Sequence, residues 1–200
     1  MLSDLPERHI RDPRVLRAIA HPVRLRLMEE LAAAGPATAT ELAERVGESP
    51  ANCSWHLRQL ARYGFIEEAG GGPGRQRPWR VVVQANNWRD VDGDPAFAAA
   101  RDAATEVLVA NEYAAMRRWY ARRRGEPPQW REAAFLTQSQ AWLTEDELKA
   151  VGEEIRGILL RRLDPHRFDP KKRPPNSQLI RFVAWGVPHT SAGNPGDTDA

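Results

Sequence analysis

The sequence predicts a mainly α-helical protein with a small β component, and three observations carry that expectation. Short amphipathic stretches punctuated by Gly, Pro and capping residues fill positions 13–64. A basic, glycine-rich hairpin follows, and after it comes one apolar stripe of about 30 residues at helical spacing. The organisation expected is an N-terminal arm at 1–12, a first domain at 13–90, a long helix at 95–125, a strand-helix-strand unit at 129–187 and a disordered tail at 188–200.

Taken in order, Val15, Leu16 and Ile19 mark a short helix that His21-Pro22 interrupts, with the proline placed to open the next helix. Val23, Leu25, Leu27, Met28 and Leu31 continue at near-helical spacing until Gly35-Pro36. Thr38 and Glu41 have the spacing of a capping box, so a third helix should start there and end at Gly47, with Leu42, Ala43 and Val46 inward. Only Glu48 separates that glycine from Ser49-Pro50, an N-cap followed by a favoured first helical residue. Two helices joined by a tight turn are therefore expected back to back.

The fourth helix, about 50–63, sets Cys53, Leu57 and Leu60 on one apolar face. Its other side carries Ala51, Asn52, Ser54, Trp55, Arg58 and Arg62, a polar and basic stripe with one aromatic ring. Phe65-Ile66 then opens a strand that runs through Gly70–Gly74 and past Arg75 and Arg77 into a second strand at 79–83. After the acidic linker at 86–94, Pro95 opens the long helix, whose stripe includes Phe97, Ala104, Leu108, Ala115 and Trp119. A stripe that long calls for a partner helix. Beyond Pro127-Pro128, alternation at 135–143 reads as a strand, Thr144 and Glu147 as a second capping box, and 179–187 as a final strand.

Composition narrows the function classes. With 42% hydrophobic and 28% charged residues and mean hydropathy −0.60, no apolar run approaches the ~20 residues of a membrane span. Asp4, Glu7 and Arg8 around Pro6 break up any secretory leader, so a cytoplasmic chain with no membrane partner is expected. A single cysteine, Cys53, excludes an intramolecular disulfide framework and any multi-cysteine zinc site. Net charge is only +2, yet residues 49–80 hold five arginines against two glutamates. The basic character is local, and it coincides with the fourth helix and the hairpin. The preference for arginine over lysine elsewhere reads as coding bias.

Helix, helix, helix-turn-helix and basic hairpin is the element order of a winged helix-turn-helix domain. Asp12-Pro13, His21-Pro22-Val23-Arg24, Thr40-Glu41-Leu42-Ala43 leading to Gly47, Ser54-Trp55-His56-Leu57 and Gly64-Phe65-Ile66-Glu67 occur in the order of the arsenic-repressor (ArsR/SmtB-like) family of bacterial transcriptional regulators, which the chain resembles over about 12–83. The resemblance implies a homodimer on double-stranded DNA, with the fourth helix in the major groove and the wing on the adjacent backbone or minor groove. The DNA-facing set it implies comprises Thr38, Thr40 and Ser49, then Ala51, Asn52, Ser54, Trp55, His56, Arg58 and Arg62, and on the wing Arg75, Arg77 and Arg80. Asn52 suits adenine, Arg58 suits guanine, Trp55 suits a thymine methyl, and the wing arginines suit phosphates. The dimer set is Phe97, Ala104, Leu108, Asn111, Ala115 and Trp119, where Asn111 either pairs across the dimer or lies exposed.

Departures from the family pattern matter as much. Neither the helix at 40–46 nor that at 95–124 contains Cys or His, so a metal site of the family's usual kind is not expected, nor any cofactor. No catalytic motif occurs, and an enzyme is not expected. Cys53 reads as a buried small hydrophobe and His21 as structural. The rings of Trp130, Phe135, Trp142, Phe168, Phe182 and Trp185 read as core before they read as the lining of a small-molecule effector pocket. The competing functional class is a winged helix that docks another protein through Trp55 and the wing.

Overall fold

The computed structural model describes residues 6–70, 77–88 and 94–189. In chain order the elements are β1 (Glu7–His9), α1 (Pro13–Ile19), α2 (Pro22–Ala34), α3 (Ala39–Val46), α4 (Pro50–Arg62), β2 (Ile66–Glu68), β3 (Trp79–Val81), β4 (Ala85–Asn87), α5 (Pro95–Arg122), α6 (Pro128–Ala133) and α7 (Glu145–Arg162). The fold is a winged helix-turn-helix followed by a long helix and a helical C-terminal unit. No helix among the described residues is long and apolar enough to cross a membrane.

Local chemistry sets the helix starts. Asp12, His21, Thr38, Ser49 and Asp94 each accept a backbone N–H from the first turn of the helix they precede, and proline occupies the first turn of α1, α2, α4 and α5. Thr38 and Glu41 close a reciprocal capping box, as do Thr144 and Glu147. Gly47, at φ 70°, turns the chain between α3 and α4 in the left-handed region.

Helices α2, α3 and α4 pack around Leu27, Leu31, Leu42, Leu57 and Leu60, all essentially inaccessible. Burying each such leucine contributes roughly 1.5–3 kcal/mol. The wing lies against this core: β2 and β3 run antiparallel in the register Ile66↔Val81, Glu67↔Arg80 and Glu68↔Trp79. Ala37 adds a bridge on the far side of β3, exchanging hydrogen bonds of 3.1 and 2.8 Å with Trp79. A second pairing was not expected from the sequence: β1 lies parallel to β4, Glu7 opposite Ala85, which fastens the N-terminal arm to the chain leaving the wing.

The long helix is only partly available to a partner. Helix α5 packs on α1, and Phe97, Ala100 and Ala104 are buried in the chain's own core with Val15, Leu16 and Ile19. The sequence reading gave Phe97 and Ala104 to a second subunit; α1, whose apolar face needs cover, takes them. Leu108 is half-buried against the same core, while Val109, Tyr113, Met116 and Tyr120 are exposed further along.

The C-terminal unit departs from the expected strand-helix-strand. Helix α7 forms behind its capping box, but 135–143 and 179–187 form no strand. A strand needs a neighbour to pair with, and among the described residues neither segment has one. Nor do the aromatic residues build a core: Phe135, Trp142, Phe182 and Trp185 are exposed, while Trp130 and Phe168 are half-buried. The unit is tied to the rest by side chains. Arg173 donates to the carbonyls of Ala33 at 2.6 Å and Ala32 at 3.3 Å near the end of α2, and Arg156 pairs with Glu7. The expected tail lies outside the described residues from position 190 onward.

Candidate nucleic-acid interface

Helix α4 is held by three anchors, Cys53, Leu57 and Leu60, each fully buried. Its start is fixed by Ser49, whose Oγ accepts the Asn52 N–H at 3.2 Å, and by Pro50 in the first turn. With that face inward, Ala51, Trp55, Arg58 and Arg62 are exposed and Asn52 and Ser54 half-buried on the outer side. Trp55 is 48% exposed, which is unusual for an indole with no partner to cover it.

The outer side chains are organised before any ligand arrives. Arg58 Nη1 donates to Ser54 Oγ at 2.7 Å, one turn back. Asn52 Nδ2 donates to Glu48 Oε2 at 2.9 Å, and Glu48 Oε1 receives Arg26 Nη2 at 2.9 Å. Arg26 also donates to the Val46 carbonyl at 2.7 Å near the end of α3. This Arg26–Glu48–Asn52 chain clamps the turn between α3 and α4 onto α2. Glu48 was missed as a site residue; the available signal was its place as the sole residue between Gly47 and the Ser49-Pro50 helix start.

His56 does not belong to the outer face. It is 4% exposed, its ring centroid lies 4.6 Å from that of His21, and Trp55 meets it edge-on at 4.8 Å. The DNA-contact role expected of His56 is therefore corrected: it stands beside Leu57 on the inward side, packed against His21. Its Nδ1 finds no hydrogen-bond partner among the described residues. Loss of solvent on burial lowers the His56 pKa, and the neighbouring His21 and Arg24 lower it further. His21 is lowered by burial and then by Arg24, while its Nδ1 caps α2 through the Val23 N–H at 3.2 Å.

Two other candidates have their hydroxyls committed. Thr38 Oγ1 both accepts from Glu41 N and donates to Glu41 Oε2, and Ser49 Oγ is the α4 cap. Thr40 is exposed in the first turn of α3. On the wing, Arg80 pairs with Glu67 at 2.8 Å and Arg77 with Glu68 at 2.6 Å, all four side chains exposed. Arg75 lies outside the described residues, as do Gly71 to Gly74 of the expected wing tip. On α5, Asn111 is half-buried and donates to Glu29 Oε1 of α2 at 2.7 Å, so its amide is used within the chain. Ala115 and Trp119 are half-buried.

A family model described as a helix-turn-helix domain matches residues 19–69, which span most of the core from α2 through β2. Among solved structures, the chain is similar to the homodimeric winged helix-turn-helix DNA-binding domain of a possible ArsR-family transcriptional regulator from Mycobacterium bovis, at 21% identity over 50% of this chain and 76% of that one, with TM-score 0.32. It is similar to the transcriptional repressor BigR from Xylella fastidiosa at 23% identity over 49% of this chain and 83% of that one, with TM-score 0.31. A MarR family regulator from Neisseria meningitidis matches at 13% identity over 72% of this chain and 81% of that one, with TM-score 0.33. No curated protein matches the chain.

Proposed function

We propose that the chain is a homodimeric, sequence-specific DNA-binding transcriptional regulator of the ArsR-like winged-helix type, acting as a repressor without enzymatic activity. One observation carries this reading: α4 presents Trp55, Arg58 and Arg62 to solvent from a helix whose opposite face is fixed in the core, beside a wing bearing Arg77 and Arg80. An α-helix fits the ~12 Å major groove, and those side chains then meet base edges while the wing arginines meet phosphates. Arg58 offers a bidentate fork to guanine once it leaves Ser54, and Asn52 an amide to adenine once it leaves Glu48. A two-fold dimer implies an inverted repeat with half-sites about 34–36 Å apart.

The partition at 13–90, 95–125 and 129–187 goes with this proposal as reading head, connecting helix and assembly unit. We propose the dimer face of α5 on its distal half, where exposed Val109, Tyr113, Met116 and Tyr120 join half-buried Leu108, Ala115 and Trp119, since Phe97, Ala104 and Asn111 are engaged within the chain. The exposure of Trp55 also favours a second reading, docking of a protein partner through this face.

Footprinting of the purified chain on the DNA flanking its own coding sequence separates the two. The regulator reading expects two protected half-sites one helical turn apart and loss of both in Arg58→Ala. Uniform, sequence-indifferent weak binding overturns it and favours the protein-docking module.

A further inference from the structure

The C-terminal unit exposes a surface that a lone chain does not sustain. Phe135 and Leu136 are adjacent in a segment without regular secondary structure and are 74% and 72% exposed, so both side chains are uncovered. Trp142 is fully exposed, and Trp185 and Val187 nearly as open. Among the described residues, neither 135–143 nor 179–187 makes a backbone hydrogen bond to another backbone group. The two segments approach each other through Phe135 and Phe182, ring centroids 6.5 Å apart, and Gly186 lies close over Leu148 of α7. They are adjacent and unpaired.

We infer that this surface is covered by a second copy of the same chain, the segments 135–143 and 179–187 of each copy pairing as strands with those of the other across a two-fold axis and covering the outer face of α7. Area argues for an obligate partner. The chain exposes 14961 Å², against about 9,500 Å² for a compact monomer of 22.5 kDa. With the 27 residues outside the described set counted as wholly solvated, at about 160 Å² each, the other 173 expose roughly 2,000 Å² more than the about 8,500 Å² of a compact monomer of their size. That is the share each chain contributes to an obligate homodimer, whose interfaces total about 2,000–5,000 Å².

Charge argues for self-association over a foreign partner. Segment 135–143 has no charged residue, and 179–187 has only Arg181, whose guanidinium is taken by Glu29 at 3.0 Å and Glu112 at 2.8 Å within the chain. Nothing ionic is left on either segment to select a charged partner. Two unpaired segments per copy, with no free charge on either, are self-complementary: each supplies the backbone donors, acceptors and apolar side chains that the other lacks. Exposure of both neighbouring side chains, Phe135 and Leu136, calls for embedding between elements, which reciprocal exchange supplies and flat docking does not. The inference extends the proposed dimer beyond α5 and does not depend on DNA binding.

The test uses the full chain without DNA. Sedimentation at micromolar concentration should give twice the chain mass, and the double variant Trp142→Glu/Trp185→Glu should weaken association at least ~100-fold while its helical circular dichroism persists. Tyr113→Glu, on α5, should weaken it less than ~10-fold. A wild-type chain sedimenting at single mass overturns the inference, as does a double variant that associates normally. Should the double variant fail to fold, hydrogen exchange on the wild-type protein decides: amides of 135–143 and 179–187 should exchange at least ~100-fold slower than in an open chain, and unprotected rates overturn the pairing. A dimer of this kind that ignores DNA would sink only the regulatory proposal.

Discussion

Glu67 on β2 holds Arg80 on β3 directly across the wing, the Arg80 Nε donating to Glu67 Oε1 at 2.8 Å. Glu68, which lies opposite Trp79, takes Arg77, two residues before that tryptophan. The wing's described arginines are thus partly neutralised from their own sheet. An exposed pair of this kind is worth about 0–1 kcal/mol, little enough for a phosphate to displace the carboxylate.

Glu67→Gln should therefore tighten binding to DNA of any sequence, by up to ~5-fold at low salt, because one carboxylate no longer competes with phosphate. Fluorescence anisotropy at two salt concentrations measures it. Weaker binding in the variant would mean that Glu67 orients Arg80 rather than masking it.

Arg58→Ala and Arg77→Ala should separate base reading from backbone attraction. The first should cost about 1–3 kcal/mol on the preferred site and flatten the preference among bases; the second should weaken all sequences alike and lower the salt slope by about one. Gel shifts on a panel of single-base variants check both, and identical profiles for the two substitutions would contradict the assignment.

The His21–His56 pair should make the helical core around α4 sensitive to acid. Both rings titrate below the ordinary histidine value of about 6.5 when folded, so below that value the unfolded chain binds protons that the folded chain refuses. Their contribution is full above about 6.5 and is lost as pH falls through the lowered folded values. The melting temperature should drop between pH 7.5 and 5.0, and His56→Gln should reduce that drop by about half or more, since one of the two titrating rings is gone. An undiminished drop in the variant would move the acid sensitivity elsewhere.

Gly35 and Gly47 should respond differently to alanine. Gly47 sits at φ 70° with open space around it, so Gly47→Ala costs the left-handed penalty alone, about 1–2 kcal/mol. Gly35 has φ 93° and ψ −164°, a region essentially reserved for glycine, and a Cβ there would stand 2.6 Å from Pro170 Cγ. Gly35→Ala should lower thermal stability more than Gly47→Ala, and calorimetry that ranks them the other way would mean the Pro165 to Lys172 turns do not pack on α2 in solution.

Much of the reading head was legible because its signals are local. Thr38 with Glu41, Ser49-Pro50 and Pro95 announce helix starts within four residues of themselves, and each cap forms. What could not be read depends on distant partners. Glu7 meets Ala85 and Asn111 meets Glu29 across about 80 residues, and no spacing rule links them. His56 reads from its type equally as a phosphate contact or as a bridge to the domain surface, and its burial beside His21 favours the second. Phe97 and Ala104 formed a stripe correctly seen as needing cover, but the cover is α1 rather than another subunit. At 135–143 and 179–187 the expected strands do not form, because a strand needs a neighbour to pair with and neither the alternation at 135–143 nor the apolar run at 179–187 names one.

The clamp of Arg181 on Glu29 and Glu112 has a geometric consequence for recognition. Together with Arg173 beneath the end of α2, it leaves the carboxy-terminal portion little freedom to swivel against the helices that carry α4. In the proposed pair of chains joined through that portion, the separation of the two α4 helices should act as a stiff ruler, tolerant of base changes within a half-site and intolerant of one inserted between them.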